Sequence, residues 1–118
     1  MVSDLQIDHN PALLSVDGLE SLEMIVGAAA ITDNESLLEV DALAALDTIV
    51  EDLTIQYNDA LSQLDGLAAL VSLGDVLDIR WNVSLPTCEA EALALQLVDA
   101  GWDGTAYVDG NDDAGTCD

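Results

Sequence analysis

Basic residues are almost absent from this chain. Its 118 residues include no lysine and one arginine, Arg80, against 24 acidic residues, so the net charge is −23. Because nucleic-acid binding depends on Lys and Arg contacts to phosphates, this composition predicts no nucleic-acid partner. Cations, polar sugars and basic protein patches remain as candidate partners. The simpler interpretation is that the acids keep a leucine-rich protein soluble, for example in a saline medium.

Long apolar runs are also missing. The longest run, 24–31, is far shorter than the roughly 20 residues that a membrane-spanning helix needs. The N-terminus has neither a basic region nor a long apolar segment. We therefore expect no membrane insertion and a single domain over residues 1–118. Either the chain stays inside the cell, or a signal segment has been removed or is not included.

Histidine and cysteine are too scarce for most catalytic or metal sites. His9 is the single histidine, and we interpret it as an exposed bystander. Cys88 and Cys117 lack the further ligands that a zinc site requires. They are either a disulfide, which would indicate an oxidising compartment, or two buried thiols. No nucleophile, phosphate-loop or metalloprotease motif is present. We therefore predict a protein that is not an enzyme and has no cofactor.

What the chain does contain is a repeat of 24 residues. Asparagine recurs with this period, and an isoleucine stands three residues before it in each unit. Each unit reads L-x-I-x-x-N-x-x-L-x-x-[LV]-D-[GA]-L-x-x-L-x-x-I. The repeated asparagines, with a further one in the C-terminal segment, are Asn10, Asn34, Asn58, Asn82 and Asn111.

The repeat predicts a β-solenoid with coils over residues 1–85. The L-x-I portion has the period of a strand, and the later spacing of three suits a coil that bends round a core. Asp-Gly predicts a tight turn, because glycine tolerates positive φ. Stacked coils bury side chains that one coil alone cannot bury. The predicted parallel strands are 4–8, 28–32, 52–56, 76–80 and 105–109.

The repeated asparagines are predicted to point inward and to form a ladder along the stack. At each bend the backbone donors lose their sheet partners, and a buried donor needs an acceptor. An amide side chain offers both a donor and an acceptor. The glycosylation-type triplets that begin at Asn34 and Asn82 are discounted for the same reason, because an inward side chain is a poor acceptor for sugar.

The C-terminal segment, 86–118, is predicted to cap the stack. Its sequence 88–101 indicates a helix, with Thr87 or Cys88 at the N-cap and Gly101 at the end. A last strand and Asn111 restore the repeat. A Cys88–Cys117 bond would tie this cap shut and contribute on the order of 3 kcal/mol.

The units resemble bacterial surface proteins built from receptor L-domain-like leucine-rich repeats. Unit 53–76 is most similar, whereas unit 29–52 departs from the pattern at Ala29, Ala42 and Glu51. The resemblance implies a right-handed solenoid in an extracellular or cell-envelope setting. It implies no particular ligand, since such repeats serve many binding roles.

Aromatic residues are few, and the repeat gathers three of them on one part of the sheet face. Tyr57, Arg80, Trp81 and Tyr107 are therefore the candidate binding residues. The alternative is that these rings merely cover the edges of strands. Asp109, Asn111 and Asp113 resemble the start of a calcium loop, but Ala114 replaces its glycine, so we expect weak association with calcium only.

Two functions fit these features. The first is a non-catalytic recognition or adhesion module that binds a protein or a glycan on the parallel-sheet face. The alternative is a structural spacer within a longer cell-envelope protein, with no ligand of its own. The first coil has no predicted cap, so we expect either upstream repeats in a longer chain or end-to-end association through the N-terminal ends.

Overall fold

The computed structural model describes residues 3–115. Each coil contributes one four-residue strand and, in the first three coils, a two-residue strand further along. Two short 3-10 helices, Asp41–Leu43 and Asp65–Leu67, lie between them in the second and third coils. The strands and the helix, in chain order, are β1 Leu5–Asp8, β2 Met24–Ile25, β3 Ala29–Thr32, β4 Thr48–Ile49, β5 Leu53–Gln56, β6 Ser72–Leu73, β7 Leu77–Arg80, α1 Thr87–Asp99 and β8 Ala106–Asp109.

The longer strands form a five-stranded parallel sheet in the order β1-β3-β5-β7-β8. The register places Ile7 beside Ile31, Ile31 beside Ile55, and Ile55 beside Ile79. The predicted parallel-sheet β-solenoid is thus confirmed. Each strand begins one residue later than predicted. The residue before it still contributes its carbonyl to the neighbouring strand, as Ala28 does to the N–H of Leu5.

A second parallel sheet, in the order β2-β4-β6, was missed by the sequence reasoning. Its strands have two residues each, for example Thr48–Ile49, which is too short for an alternating pattern to be visible. It lies on the part of the coil where the leucine spacing is three. The buried side chains of Ile25, Ile49 and Leu73 attach this sheet to the core.

The predicted Asp-Gly turn is found only in the first coil, where Gly18 has a φ of 106°. In the third coil Asp65-Gly66 lies in a 3-10 helix, so the prediction was wrong there. The second coil has Asp41-Ala42 at this position, also in a 3-10 helix. Gly66 has a different reason to be glycine. A Cβ at this position would lie 2.1 Å from the carbonyl oxygen of Val40 in the preceding coil. Close approach between coils, rather than backbone conformation, therefore selects glycine at this position.

Leucine and isoleucine side chains fill the space between the two sheets. Leu37, Ile55 and Leu61 are fully buried in the inner coils, whereas Leu5 and Leu13 of the first coil are only partly buried. This difference arises because no described coil covers the first one.

Helix α1 closes the stack at the C-terminal side. Ala90, Leu93 and Leu97 pack into the core, and the Gln96 amide donates hydrogen bonds to the carbonyls of Leu67 and Leu70. The helix ends at Asp99, and Gly101, which follows the C-cap residue Ala100, has a φ of 107° and stops the helix as predicted. No helix of residues 3–115 has the length and hydropathy needed to cross a membrane.

The start of α1 differs from the prediction, because Pro86 occupies the N-cap position. Thr87 lies inside the helix, and its hydroxyl donates a hydrogen bond to the carboxylate of Asp113. The predicted Cys88–Cys117 bond involves Cys117, which lies outside the described residues, so this bond stays a prediction.

Candidate binding surface

The five repeated asparagines lie in one inward line along the stack. Each side-chain Nδ2 donates to the Oδ1 of the next asparagine towards the C-terminus, at 3.1–3.2 Å. The same Oδ1 also accepts a hydrogen bond from the backbone N–H of the preceding asparagine. From Asn34 onward, each Nδ2 donates in addition to a strand carbonyl, such as that of Ile7. We call this line the Asn ladder.

Burial separates the members of the Asn ladder. Asn34, Asn58 and Asn82 are fully buried, whereas Asn10 is exposed. Asn34 and Asn82 therefore do not present their amides to a glycosylating enzyme in the folded protein. The ladder satisfies the backbone at every bend, so its role is to hold the stack together.

The residues immediately before these asparagines adopt a left-handed backbone. These five residues form a second line, which we call the left-handed column. Their φ angles are 56° at His9, 59° at Asp33, 58° at Tyr57, 61° at Trp81 and 67° at Gly110. Residues other than glycine rarely adopt this backbone conformation. Among them, Asn and Asp adopt it most readily. The left-handed backbone of these residues was not predicted from the sequence, although Asp33 and Gly110 were a signal for it.

The left-handed column stacks two aromatic rings. The ring centroids of Tyr57 and Trp81 are 5.0 Å apart, and the planes differ by 18°. Neighbouring strands are about 4.8 Å apart, so aromatic rings at one position of successive coils meet face to face. Gly110 follows in the next coil, and a Cβ there would lie 2.4 Å from Cδ1 of Trp81. The indole therefore occupies space that only glycine leaves open.

Arg80 joins this stack to Tyr107. Its Cζ atom lies 4.6 Å from the centroid of the Trp81 ring and 5.2 Å from that of Tyr107. Both distances are within the range of a cation–π contact. The four predicted binding residues are thus in contact with one another, and we call them the aromatic–arginine cluster.

A carboxylate and an amide, which the sequence reasoning did not select, fix the position of Arg80. Its Nε and Nη2 atoms donate to the two carboxylate oxygens of Asp78, at 2.7 and 2.8 Å. The Gln56 amide donates to the same carboxylate at 2.8 Å. The hydrogen bond to Asp78 raises the pKa of Arg80 above its ordinary value. The guanidinium therefore stays charged, and it compensates an Asp78 side chain that is almost buried.

On the side of β3 and β5 the surface beside the cluster carries little charge, whereas on the side of β8 Asp109 lies in register with Arg80. In β3 and β5 the positions that alternate with the buried ones are Ala30, Thr32, Thr54 and Gln56. Tyr57 and Tyr107 are 46% and 47% exposed, so both offer ring surface to a partner. In a chain with 24 acidic residues, a neutral surface with exposed rings is an exception. It can stack against flat apolar groups and exchange hydrogen bonds with hydroxyls or amides.

The remaining predicted residues lie elsewhere or have other partners. His9 is exposed, with its ring nitrogens 3.7 Å from Asp8 and 3.9 Å from Asp33. Of the weak calcium candidates, Asn111 is bonded within the Asn ladder, and Asp109 accepts a hydrogen bond from the N–H of Gly110. Among residues 3–115, no three His, Cys, Asp or Glu side chains are grouped to hold a metal ion.

Comparisons of the sequence and the structure with known proteins found no match. This holds for protein-family models, for curated proteins and for solved structures.

Proposed function

We propose that this protein is a non-catalytic recognition module that binds a protein or a glycan on its five-stranded sheet. The binding surface is the aromatic–arginine cluster together with the neutral side chains of β3 and β5. The proposal includes an extracellular or cell-envelope location, as the resemblance to L-domain-like leucine-rich repeats implies. A Cys88–Cys117 disulfide would fit the same location.

The observation that carries this proposal is the backbone of Tyr57 and Trp81. A residue other than glycine in the left-handed region costs about 1–3 kcal/mol. The repeat does not require an aromatic residue at this position, because Asp33 and Gly110 occupy it in other coils. The same angle recurs at all five positions of the column, including His9 and Asp33, so the repeat sets the strain. What needs a functional reason is the choice of two bulky aromatic residues at strained positions. We infer that Tyr57 and Trp81 are retained for what their rings contact.

The cluster is also ordered in advance of binding. Hydrogen bonds from Arg80 and Gln56 converge on Asp78, and the rings of Trp81 and Tyr107 flank the guanidinium. A surface whose side chains are already fixed loses little conformational entropy on binding. Tyr, Trp and Arg are also the residues that dominate binding energy at protein interfaces.

The test is a binding screen with a substitution that suits the backbone. We would apply the full chain to a glycan array and to a surface-protein extract, alongside a Tyr57→Asn, Trp81→Asn double variant. Asparagine favours the left-handed conformation, so the variant should remain folded. Asp33→Asn is the matched control, because it makes the same change in the same column outside the cluster. We expect the wild type and the control to bind and the double variant to lose binding.

Two results would contradict the proposal. If the wild type retains no glycan and no protein, the chain is better explained as a structural spacer. If the double variant binds as well as the wild type, the ligand contacts some other surface.

A further inference from the structure

The Asn ladder has a direction, so its two ends differ chemically. At the N-terminal end, the Oδ1 atom of Asn10 accepts no hydrogen bond from any residue in 3–115, whereas every later Oδ1 in the ladder accepts two. At the C-terminal end, Asn111 uses Nδ2 for one bond, to the carbonyl of Ile79. Among residues 3–115, one N–H of that amide and the backbone N–H of Asn111 have no acceptor and remain as donors. One end of the stack thus presents an acceptor and the other end presents donors.

The backbone edges of the large sheet repeat this complementarity. Leu5 and His9 donate their N–H groups to the β3 side, so the alternation of a strand points the N–H groups of Gln6 and Asp8 away from the sheet. At the other edge, the carbonyls of Thr105 and Asp109 accept hydrogen bonds from the N–H groups of Leu77 and Trp81. The N–H and C=O groups of Ala106 and Val108 therefore point outward. Both edges are parallel strands in the register of the repeat.

Apolar surface accompanies the edge of the first coil. A cleft of about 400 Å³ on the first coil is lined by side chains that include Leu5, Ile7, Leu13 and Leu19. The corresponding side chains of the inner coils are buried by the coil that precedes them. At the other end α1 covers the core, and Val98 of this helix is 52% accessible.

We propose that the chain associates head to tail, with β8 of one copy pairing in parallel with β1 of a second copy. In this arrangement Asn111 of one copy donates to Oδ1 of Asn10 in the other, and the Asn ladder continues through the interface. The meeting of two N-terminal ends is disfavoured, because it opposes two acceptor ends. A head-to-tail contact does not close on itself, so it produces a series of dimers, trimers and longer species.

Net charge opposes this association and makes it dependent on salt. Two chains of −23 repel each other at low ionic strength. Raising the salt concentration from about 0.1 M to about 1 M shortens the Debye length from about 10 Å to about 3 Å. The bonds between the copies are short-range and survive this screening. We therefore expect the average mass to rise above the 12.4 kDa of one chain as salt and protein concentration increase.

The decisive experiment blocks each edge separately. Gln6→Pro removes an outward N–H from β1, and Ala106→Pro removes one from β8. Proline is tolerated on edge strands. Sedimentation equilibrium in high salt should show each variant alone as a monomer. A mixture of the two should form a 1:1 heterodimer and nothing larger, because the mixture supplies one intact head and one intact tail.

Several results would overturn the proposal. The proposal is wrong if the wild-type chain stays monomeric in high salt at millimolar concentration. It is also wrong if an Ala106→Pro variant still dimerises alone, since this would indicate contact between N-terminal ends. If either variant fails to fold, NMR of the unmodified chain provides the same test. The amide signals of Gln6, Asp8, Ala106 and Val108 should shift together with salt and concentration, and shifts at β1 alone would contradict the head-to-tail contact.

Discussion

The Asn ladder and the left-handed column are adjacent in sequence, yet the repeat constrains them in different ways. In the ladder the side chain itself is required. Asn58, for example, satisfies two backbone groups of the preceding coil and also bonds to the asparagine side chains of both neighbouring coils. In the left-handed column only the backbone angle repeats, and its side chains range from Gly110 to Trp81. The comparison indicates that the inward side chain at each bend is engaged in the hydrogen bonds that hold the coils together. The outward side chain remains available for binding.

The largest expected effect is at the centre of the Asn ladder. Asn58→Ala removes one hydrogen-bond partner from each of four groups: the carbonyl of Ile31, the N–H of Asn34 and the side-chain amides of Asn34 and Asn82. Unsatisfied buried groups cost about 1–3 kcal/mol each, so we expect a loss of about 3–5 kcal/mol of unfolding free energy. Urea denaturation measures it.

The control for this prediction is Asn10→Ala at the exposed end of the ladder. Its partners can bond to water instead, so we expect a loss of about 1 kcal/mol or less. Equal losses at the two positions would show that the inward line does not hold the stack in the way described.

A smaller effect is expected at the glycine of the left-handed column. Gly110→Ala places a methyl group against Cδ1 of Trp81 and keeps a positive φ. Together, overpacking and strain should cost about 2 kcal/mol, and the near-ultraviolet circular dichroism should change as the indole moves. Asp33→Ala also places alanine at a positive φ, but in a different coil, and it should lower the unfolding free energy by about 1 kcal/mol or less. A similar loss in both variants would show that contact with Trp81 is unimportant.

The smallest of these effects is expected where a new ring enters the column. Asp33→Tyr should leave the fold intact and cost about 1 kcal/mol or less, because the side chain points outward. Circular dichroism and urea denaturation suffice to check this. Unfolding of the variant would mean that the column constrains its side chains after all.

Much of the fold could be predicted because the repeat carries it. The 24-residue spacing fixed which strands are neighbours, and the L-x-I alternation located them to within one residue. The sheet β2-β4-β6 could not be predicted, because a two-residue strand is too short to show an alternating pattern of apolar residues. The reason for glycine at position 66 could not be predicted either. It depends on a close approach between coils, which is a matter of three-dimensional packing and not of composition.

The candidate site could be predicted in its membership but not in its chemistry. Equal positions in the repeat brought Tyr57 next to Trp81, so the stack followed from the alignment. The contacts of Arg80 did not follow. They depend on a side chain that folds back along its own strand to Asp78, two residues away, and on Gln56 from the adjacent strand. Rotamers and cross-strand bonds of this kind are set by the assembled surface.

The central claim is that Tyr57 and Trp81 serve binding rather than folding, and the unfolding free energy of Tyr57→Asn, Trp81→Asn tests it most directly. Losing the ring stack costs about 0.5–1.5 kcal/mol, whereas relieving two strained residues returns a similar or larger amount. We therefore predict that urea denaturation gives the double variant a stability within about 1 kcal/mol of the wild type, or above it. A loss of more than about 3 kcal/mol would show that the rings support the fold, and it would contradict the account.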